Sequence, residues 1–160
     1  MNIDPVNMVP WSSDWLWSLP LSVTSVVIHV LGLYFIWQRF DRVLVQASQR
    51  RMRITALLFI AGTTVSVTLL HGLEAAIWAT GFRWLHALPD KKSAMLYSLN
   101  AMTTFGHSGS NLEAHWQLMG ALEALNGLIL FGLSTAFLFA IIQETWTRFG
   151  RQVSSSSRLA

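Results

Sequence analysis

The sequence predicts an all-α membrane protein with three transmembrane helices plus a re-entrant pore helix and loop. Hydrophobic residues make up 52% of the 160 residues and charged residues only 12%, about half the charged share of a soluble domain. Three runs of roughly 20 or more apolar residues are long enough to cross a bilayer. A fourth run also carries no charge, but its second half consists of small polar residues. The absence of Cys excludes disulfides and thiolate metal sites.

Each predicted transmembrane helix ends near Trp or Arg residues, which is typical of segments that meet the membrane interfaces. The first helix is predicted over residues 15–38, the second over 54–80 and the third over 116–143. Three parts of the chain lie outside these helices. They are an outer N-terminal segment at residues 1–14, a basic loop at residues 39–53 and a tail at residues 144–160.

The distribution of Lys and Arg predicts the orientation. The loop 39–53 holds five Arg and the tail holds three, whereas the connection between the second and third helices holds three basic residues. Because basic residues accumulate on the cytoplasmic side, we expect the N-terminus outside and both the loop and the tail in the cytoplasm. The Ser-rich end of the tail is expected to be unstructured.

The charge-free stretch 93–112 is too polar in its second half to be a fourth crossing. Its first part suits a short pore helix over residues 93–104, with Ser93 as the N-cap. The following loop, residues 104–110, has an irregular composition that is stable at membrane depth only where protein or water surrounds it. We therefore expect a segment that enters the membrane from outside and returns. A polar loop outside the membrane is the alternative.

This loop resembles the selectivity filter of tetrameric potassium channels. The sequence Thr103-Thr104-Phe105-Gly106-His107-Ser108-Gly109 is similar to the Thr-Thr-Val-Gly-Tyr-Gly-Asp filter of that family. The apolar helix after it is similar to the Gly-hinged inner helix of small bacterial members. The resemblance covers residues 54–143, with the second predicted helix as the outer helix. His107 stands where the family has Tyr, and Ser108 where it has a second Gly.

The resemblance implies a passive channel for a monovalent cation, K⁺ in the family, formed by four copies of the chain. Thr104 would contribute its hydroxyl, and Phe105 and Gly106 their backbone carbonyls, which replace the hydration shell of the ion. Because all carbonyls must point inward, Gly106 is expected to have a positive φ. His107 would lie at the outer mouth. The inner helix would bend and line the path at Gly127, Phe131, Gly132, Ser134, Thr135 and Leu138. Close packing between helices is the alternative for the small residues of this helix.

Two acidic residues fall inside the predicted transmembrane helices, where ionisable groups are functional candidates. Glu74 and Glu123 each lie roughly 10 Å from the outer end of their helix, at the depth expected of the pore segment. Glu74 shares a helix face with His71. We expect these three residues to support the filter by hydrogen bonds to Thr103, Ser108 or the loop amides. The alternative is plain packing of buried polar groups.

His29 and His71 indicate a different class of function. They lie at similar depths in the first two helices, and two facing His residues can ligate haem. The alternative to a channel is therefore a non-conducting membrane accessory or a haem-binding electron-transfer subunit.

The remaining expectations concern chemistry and partners. The sequence has no Walker loop, no His-Glu-x-x-His and no Gly-x-Ser-x-Gly, so we expect no enzyme activity. We also expect no metal site and no cofactor apart from the permeant cation. The basic residues form no patch with interleaved aromatics, which argues against nucleic-acid binding. The expected partners are membrane lipid and further copies of the chain, without a soluble partner, in the inner (plasma) membrane of a bacterium.

Overall fold

The computed structural model describes residues 12–46, 52–106 and 112–156. Within these ranges the chain forms helices and no strand. The helices are α1 (Ser12–Gln46), α2 (Met52–Trp84), α3 (Lys91–Met102) and α4 (Gln117–Ser156), and a 3-10 turn at Ala114–Trp116 precedes α4. The predicted all-α fold class is confirmed.

Three of these helices are long and apolar enough to cross a membrane, over Ser12–Phe40, Ile54–Trp84 and Gln117–Arg148. At 1.5 Å per residue, each is longer than the roughly 30 Å hydrocarbon core of a bilayer. Many of their large apolar side chains are exposed, among them Leu69 and Phe139, which suits contact with lipid tails. The protein is therefore embedded in a membrane through three helices, as predicted.

The helices extend beyond the predicted membrane boundaries. α1 continues through Gln46, and the side chain of Arg42 donates to Oε1 of Gln38 (3.1 Å), which stabilises the helix across the boundary. α4 runs on to Ser156, so the expectation of an unstructured tail is wrong up to that residue. The Arg148–Glu144 ion pair (2.8 Å) joins successive turns in this extension.

α3 begins two residues earlier than predicted because Asp90, and not Ser93, is its N-cap. Oδ1 of Asp90 accepts the backbone N–H groups of Lys92 (2.9 Å) and Ser93 (3.0 Å). The Ser93 hydroxyl donates to Oδ2 of Asp90 (2.7 Å), and this bond contributes most to holding the pKa of Asp90 below its usual value. A carboxylate also interacts favourably with the positive end of the helix dipole, so Asp90 is the stronger cap.

Contacts divide the chain into two compact units. Of the described residues, the first unit comprises those up to Val30 and those within Leu69–Phe131, and the second comprises those within Leu31–Thr68 and those from Gly132 onwards. The second unit has a small core of buried apolar residues, namely Phe40, Ala56 and Ile141.

The first unit contains the whole of α3 and has the larger core, which includes Trp78, Phe82, Tyr97, Trp116 and Met119. Asp14 is buried in the first turn of α1 and accepts the backbone N–H of Met119 (3.2 Å). Because the first N–H groups of a helix have no partner within it, this carboxylate caps α4 from another helix. The start of α1 is thereby fixed to the start of α4.

Candidate pore segment and buried histidine cluster

α3 packs closely against the C-terminal part of α2 and the N-terminal part of α4. The Tyr97 ring meets the Phe82 ring edge-on, with centroids 5.3 Å apart. The Tyr97 hydroxyl lies directly against Gly120, where a Cβ would collide with it. Gly120 therefore allows α4 to approach the aromatic face of α3.

The C-terminal end of α3 lies against Gly127. A Cβ on Gly127 would be 2.6 Å from Cα of Met102, so no larger residue fits without moving the backbone of α3. Met102 also belongs to a buried cluster with Ala75 and Leu130. Gly127 lies about 15 Å along α4 from its first residue, and Ala75 lies roughly 14 Å from the last residue of α2. The end of α3 is thus beside the interior of two spanning helices.

α3 ends in the hydrogen-bond pattern of a Schellman motif. The backbone N–H of Thr104 donates to the carbonyl of Ala101 (3.0 Å), and that of Phe105 donates to the carbonyl of Asn100 (3.0 Å). The Thr103 hydroxyl donates to the carbonyl of Leu99 (2.7 Å), so it serves the end of its own helix. These contacts fix the direction in which the chain leaves α3.

The segment after α3 has a left-handed backbone at alternate residues. Thr104 has φ 55° and Gly106 has φ 91°, and Phe105 between them has no positive φ. The positive φ expected of Gly106 is therefore confirmed. Thr103, Thr104, Phe105 and Gly106 are all exposed. The other predicted filter residues, His107, Ser108 and Gly109, lie outside the described residues.

Glu123 contacts α3 near its middle and not near the loop. Its side chain is completely buried and faces Ser98. Among the described residues, no donor has good hydrogen-bond geometry to either carboxyl oxygen of Glu123. Glu123 thus contacts the body of α3. The bonds that we expected from it to Thr103 and the loop amides are not seen in the described part of the chain.

Glu74 binds two histidines. Its Oε1 lies 2.8 Å from Nδ1 of His29 on α1, and its Oε2 lies 3.2 Å from Nδ1 of His71, one turn earlier on α2. Glu74 and His29 are fully buried, whereas His71 is 25% exposed. The expected bonds from Glu74 and His71 to Thr103 do not form, because both side chains are directed at this cluster.

The two imidazole rings share one carboxylate. Their centroids are 5.1 Å apart and their planes are inclined by 42°. In a bis-histidine haem site the macrocycle separates the two rings, and each ring binds iron from its own side. Here Glu74 occupies the position between the two Nδ1 atoms, so this geometry does not favour haem.

The predicted inner-helix residues have different surroundings. Gly127 is buried against the backbone of Met102, so it packs closely against the end of α3. Ser134 is buried and Leu138 is half-buried. The remaining three, Phe131, Gly132 and Thr135, are exposed.

No family model, curated protein or solved structure matches this chain. The resemblance to potassium channels therefore stays a prediction that rests on the residues quoted for it.

Sequence reasoning missed two long-range contacts in the first unit. One is the cap that Asp14 provides for α4, for which an acidic residue in the first turn of α1 was the available signal. The other is the pairing of His29 with Glu74. The similar depths of His29 and His71 and the one-turn spacing of His71 and Glu74 were the available signals for it.

Proposed function

We propose that the protein is a subunit of a passive cation channel, in which α3 is a re-entrant pore helix and residues 103–109 lie along the ion path. The observation that carries the proposal is the contact between Met102 and Gly127. This contact supports the proposal that α3 ends at membrane depth, because Gly127 lies inside a spanning helix. A short helix that ends there is followed at once by exposed backbone.

The electrostatics of this helix end favour cations. The C-terminus of a helix carries a partial negative charge, which is effective where little water screens it. Backbone carbonyls that follow such an end can replace the hydration shell of an ion. The positive φ of Gly106 supports this use of the segment, since alternate handedness directs successive carbonyls towards one side, whereas the positive φ of Thr104 belongs to the Schellman motif that ends α3.

A pore requires several copies of the chain. Each chain has one α3, so a path surrounded by equivalent segments needs a closed ring of subunits. The resemblance implies four, with K⁺ as the permeant ion. Exposed apolar residues of α4, such as Leu125 and Leu128, suit contact with lipid or with a second copy. The proposal places the N-terminus outside a bacterial inner membrane and includes no catalytic step, since conduction needs only backbone and hydroxyl oxygens.

Cation flux into liposomes tests the proposal, with K⁺ and then Na⁺ as the ion. The informative variant is Gly106→Ala, because a Cβ there meets no atom within 4 Å and the cost is backbone strain at φ 91° of about 1–2 kcal/mol. We expect this variant to fold and assemble but to lose flux. Gly62→Ala is the matched control, since Gly62 on α2 also has open space but no positive φ.

Two outcomes would contradict the proposal. One is a wild-type protein that assembles in liposomes and conducts neither ion. The other is Gly106→Ala with the same flux as Gly62→Ala. A Soret band in the purified protein would instead support the electron-transfer alternative.

A further inference from the structure

We infer that His29, His71 and Glu74 form a binding site for a divalent transition-metal ion with the coordination preferences of Zn²⁺. One ligand atom from each residue lies within 4.8 Å of the other two. His29 comes from α1, and His71 and Glu74 come from adjacent turns of α2. The site does not include the pore segment, so this inference does not depend on the proposed channel.

The donor set selects the class of metal. Two imidazole nitrogens and one carboxylate oxygen are a set that binds Zn²⁺ in proteins, with a fourth position left for water or another ligand. Mg²⁺ and Ca²⁺ prefer sites made entirely of oxygen ligands. The chain has no Cys, so it cannot offer the thiolates that soft ions prefer. An ion of intermediate softness is therefore the best match.

The spacing of the ligand atoms is close to what one ion requires. Zn²⁺ binds nitrogen and oxygen at roughly 2.0–2.2 Å, which places two ligands of a tetrahedral ion roughly 3.4 Å apart. The Nδ1 atoms of His29 and His71 lie 2.8 and 3.2 Å from the oxygens of Glu74. These contacts are slightly shorter than that separation, and the ligand atoms of the three residues all lie within 4.8 Å of one another, so shifts of the side chains are needed to bring them to one ion.

The surroundings of Glu74 favour a bound cation over a simple hydrogen-bonded cluster. The carboxylate is fully buried, and a buried charge is stable only when it is paired or coordinates a metal. Oε2 lies 3.2 Å from Nδ1 of His71, but the orientation of the two groups does not give a good hydrogen bond. A metal ion between the two side chains would bind this oxygen together with the imidazole nitrogens.

His71 is the residue of the site that reaches the surface of the helices. Its side chain is 25% exposed, whereas those of His29 and Glu74 are 0% exposed. Because the ligands come from α1 and α2, bound metal would join these two helices and raise the thermal stability of the protein.

Titration of the purified full-length protein with Co²⁺ and Zn²⁺ tests the site, after removal of any polyhistidine tag. We expect one Co²⁺ per chain, a visible absorption band of four-coordinate Co²⁺, and loss of that band when Zn²⁺ displaces it. An excess of Mg²⁺ should displace neither ion. Loss of a ligand should weaken binding by more than the roughly 10- to 100-fold that loss of a second-shell partner costs.

The variants are His71→Gln and Glu74→Gln, with His115→Gln as the matched control. His71→Gln alters the only partly exposed ligand of the three, so it keeps the test decisive if Glu74→Gln does not fold. His115 lies 3.4 Å from Glu113 and is thus a second His–carboxylate pair, for which the described residues provide no third ligand. We expect His115→Gln to bind Co²⁺ like the wild type. The absence of a Co²⁺ band in the wild type, or equal affinity in His71→Gln and His115→Gln, would overturn the inference.

Discussion

Replacing Gly127 with Ala should displace the C-terminal end of α3. The added Cβ would lie 2.6 Å from Cα and 2.9 Å from the carbonyl carbon of Met102, whereas ordinary van der Waals contact begins near 3.4 Å. The obstructing atoms belong to backbone, so no side-chain rotation can relieve the collision. Either α3 or α4 must move by several tenths of an ångström.

The expected change in the free energy of unfolding differs between Gly127→Ala and a matched control, Gly132→Ala. Overpacking a well-packed site costs about 1–3 kcal/mol, whereas Gly→Ala in an unobstructed helix interior gains about 1 kcal/mol. For Gly127→Ala the two effects oppose each other, and the rigid obstruction favours a net loss of about 1–2 kcal/mol. Gly132→Ala, five residues further along α4, meets no atom within 4 Å and should show the gain alone.

Thermal unfolding of the two variants in the same detergent measures the difference. A separation of about 2–3 kcal/mol corresponds to roughly 4–12 °C in midpoint for a chain of this size, with Gly127→Ala below the wild type and Gly132→Ala at or above it. Flux through Gly127→Ala in liposomes should also fall, since residues 103–106 follow directly on the displaced end. Equal midpoints for the two variants would refute the close contact between α3 and α4.

Two further predictions concern the caps of α4 and α3. Asp14→Ala should lower the free energy of unfolding by about 1–3 kcal/mol because it leaves the N–H of Met119 without its acceptor. Asp14→Asn keeps an acceptor and should lose less stability. Similar losses in both variants would exclude the capping role. The pKa of Asp90 is below the usual value of 3.8, so the cap stabilises α3 at a pH above 3.8 and is lost as the pH falls below that value. Protection of the Lys92 and Ser93 amides in hydrogen exchange, corrected for intrinsic rates, should therefore decrease in acid. Asp90→Asn should show protection that does not change with pH, and a wild type that does not change either would contradict this assignment.

The sequence could predict the spans and one special backbone position, because each depends on local information. Apolar length predicts a membrane helix without reference to any other part of the chain. Gly106 in a Thr-Thr-x-Gly loop was expected at positive φ, and it has φ 91°. The N-cap of α3 was harder, because Asp90 and Ser93 are both good capping residues and lie within one turn. The carboxylate accepts three hydrogen bonds there, and the Ser93 hydroxyl is one of the donors.

The partners of the buried polar residues could not be predicted in the same way. Helical periodicity places Glu74 and His71 on one face, but it does not say which helix that face meets. The structure places His29 of α1 there, so Glu74 is bound within the cluster and is not directed at Thr103. The surroundings of Gly127 could not be predicted either, because a small residue suits close helix packing and the lining of a narrow pore equally well.

The contacts of two glycines of α4 with α3 show the direction of the short helix, which bears on the charge of the ion in the proposed channel. Gly120 meets Tyr97 and Gly127 meets Met102, so the contacts advance in the same order along both helices. α3 therefore runs alongside α4 in the same direction, and its C-terminal end lies beside the deeper part of the spanning helix. A short helix with the opposite direction would bring its N-terminus there, and the partial positive charge would favour an anion. The order of these two contacts thus supports cation conduction independently of the filter-like residues.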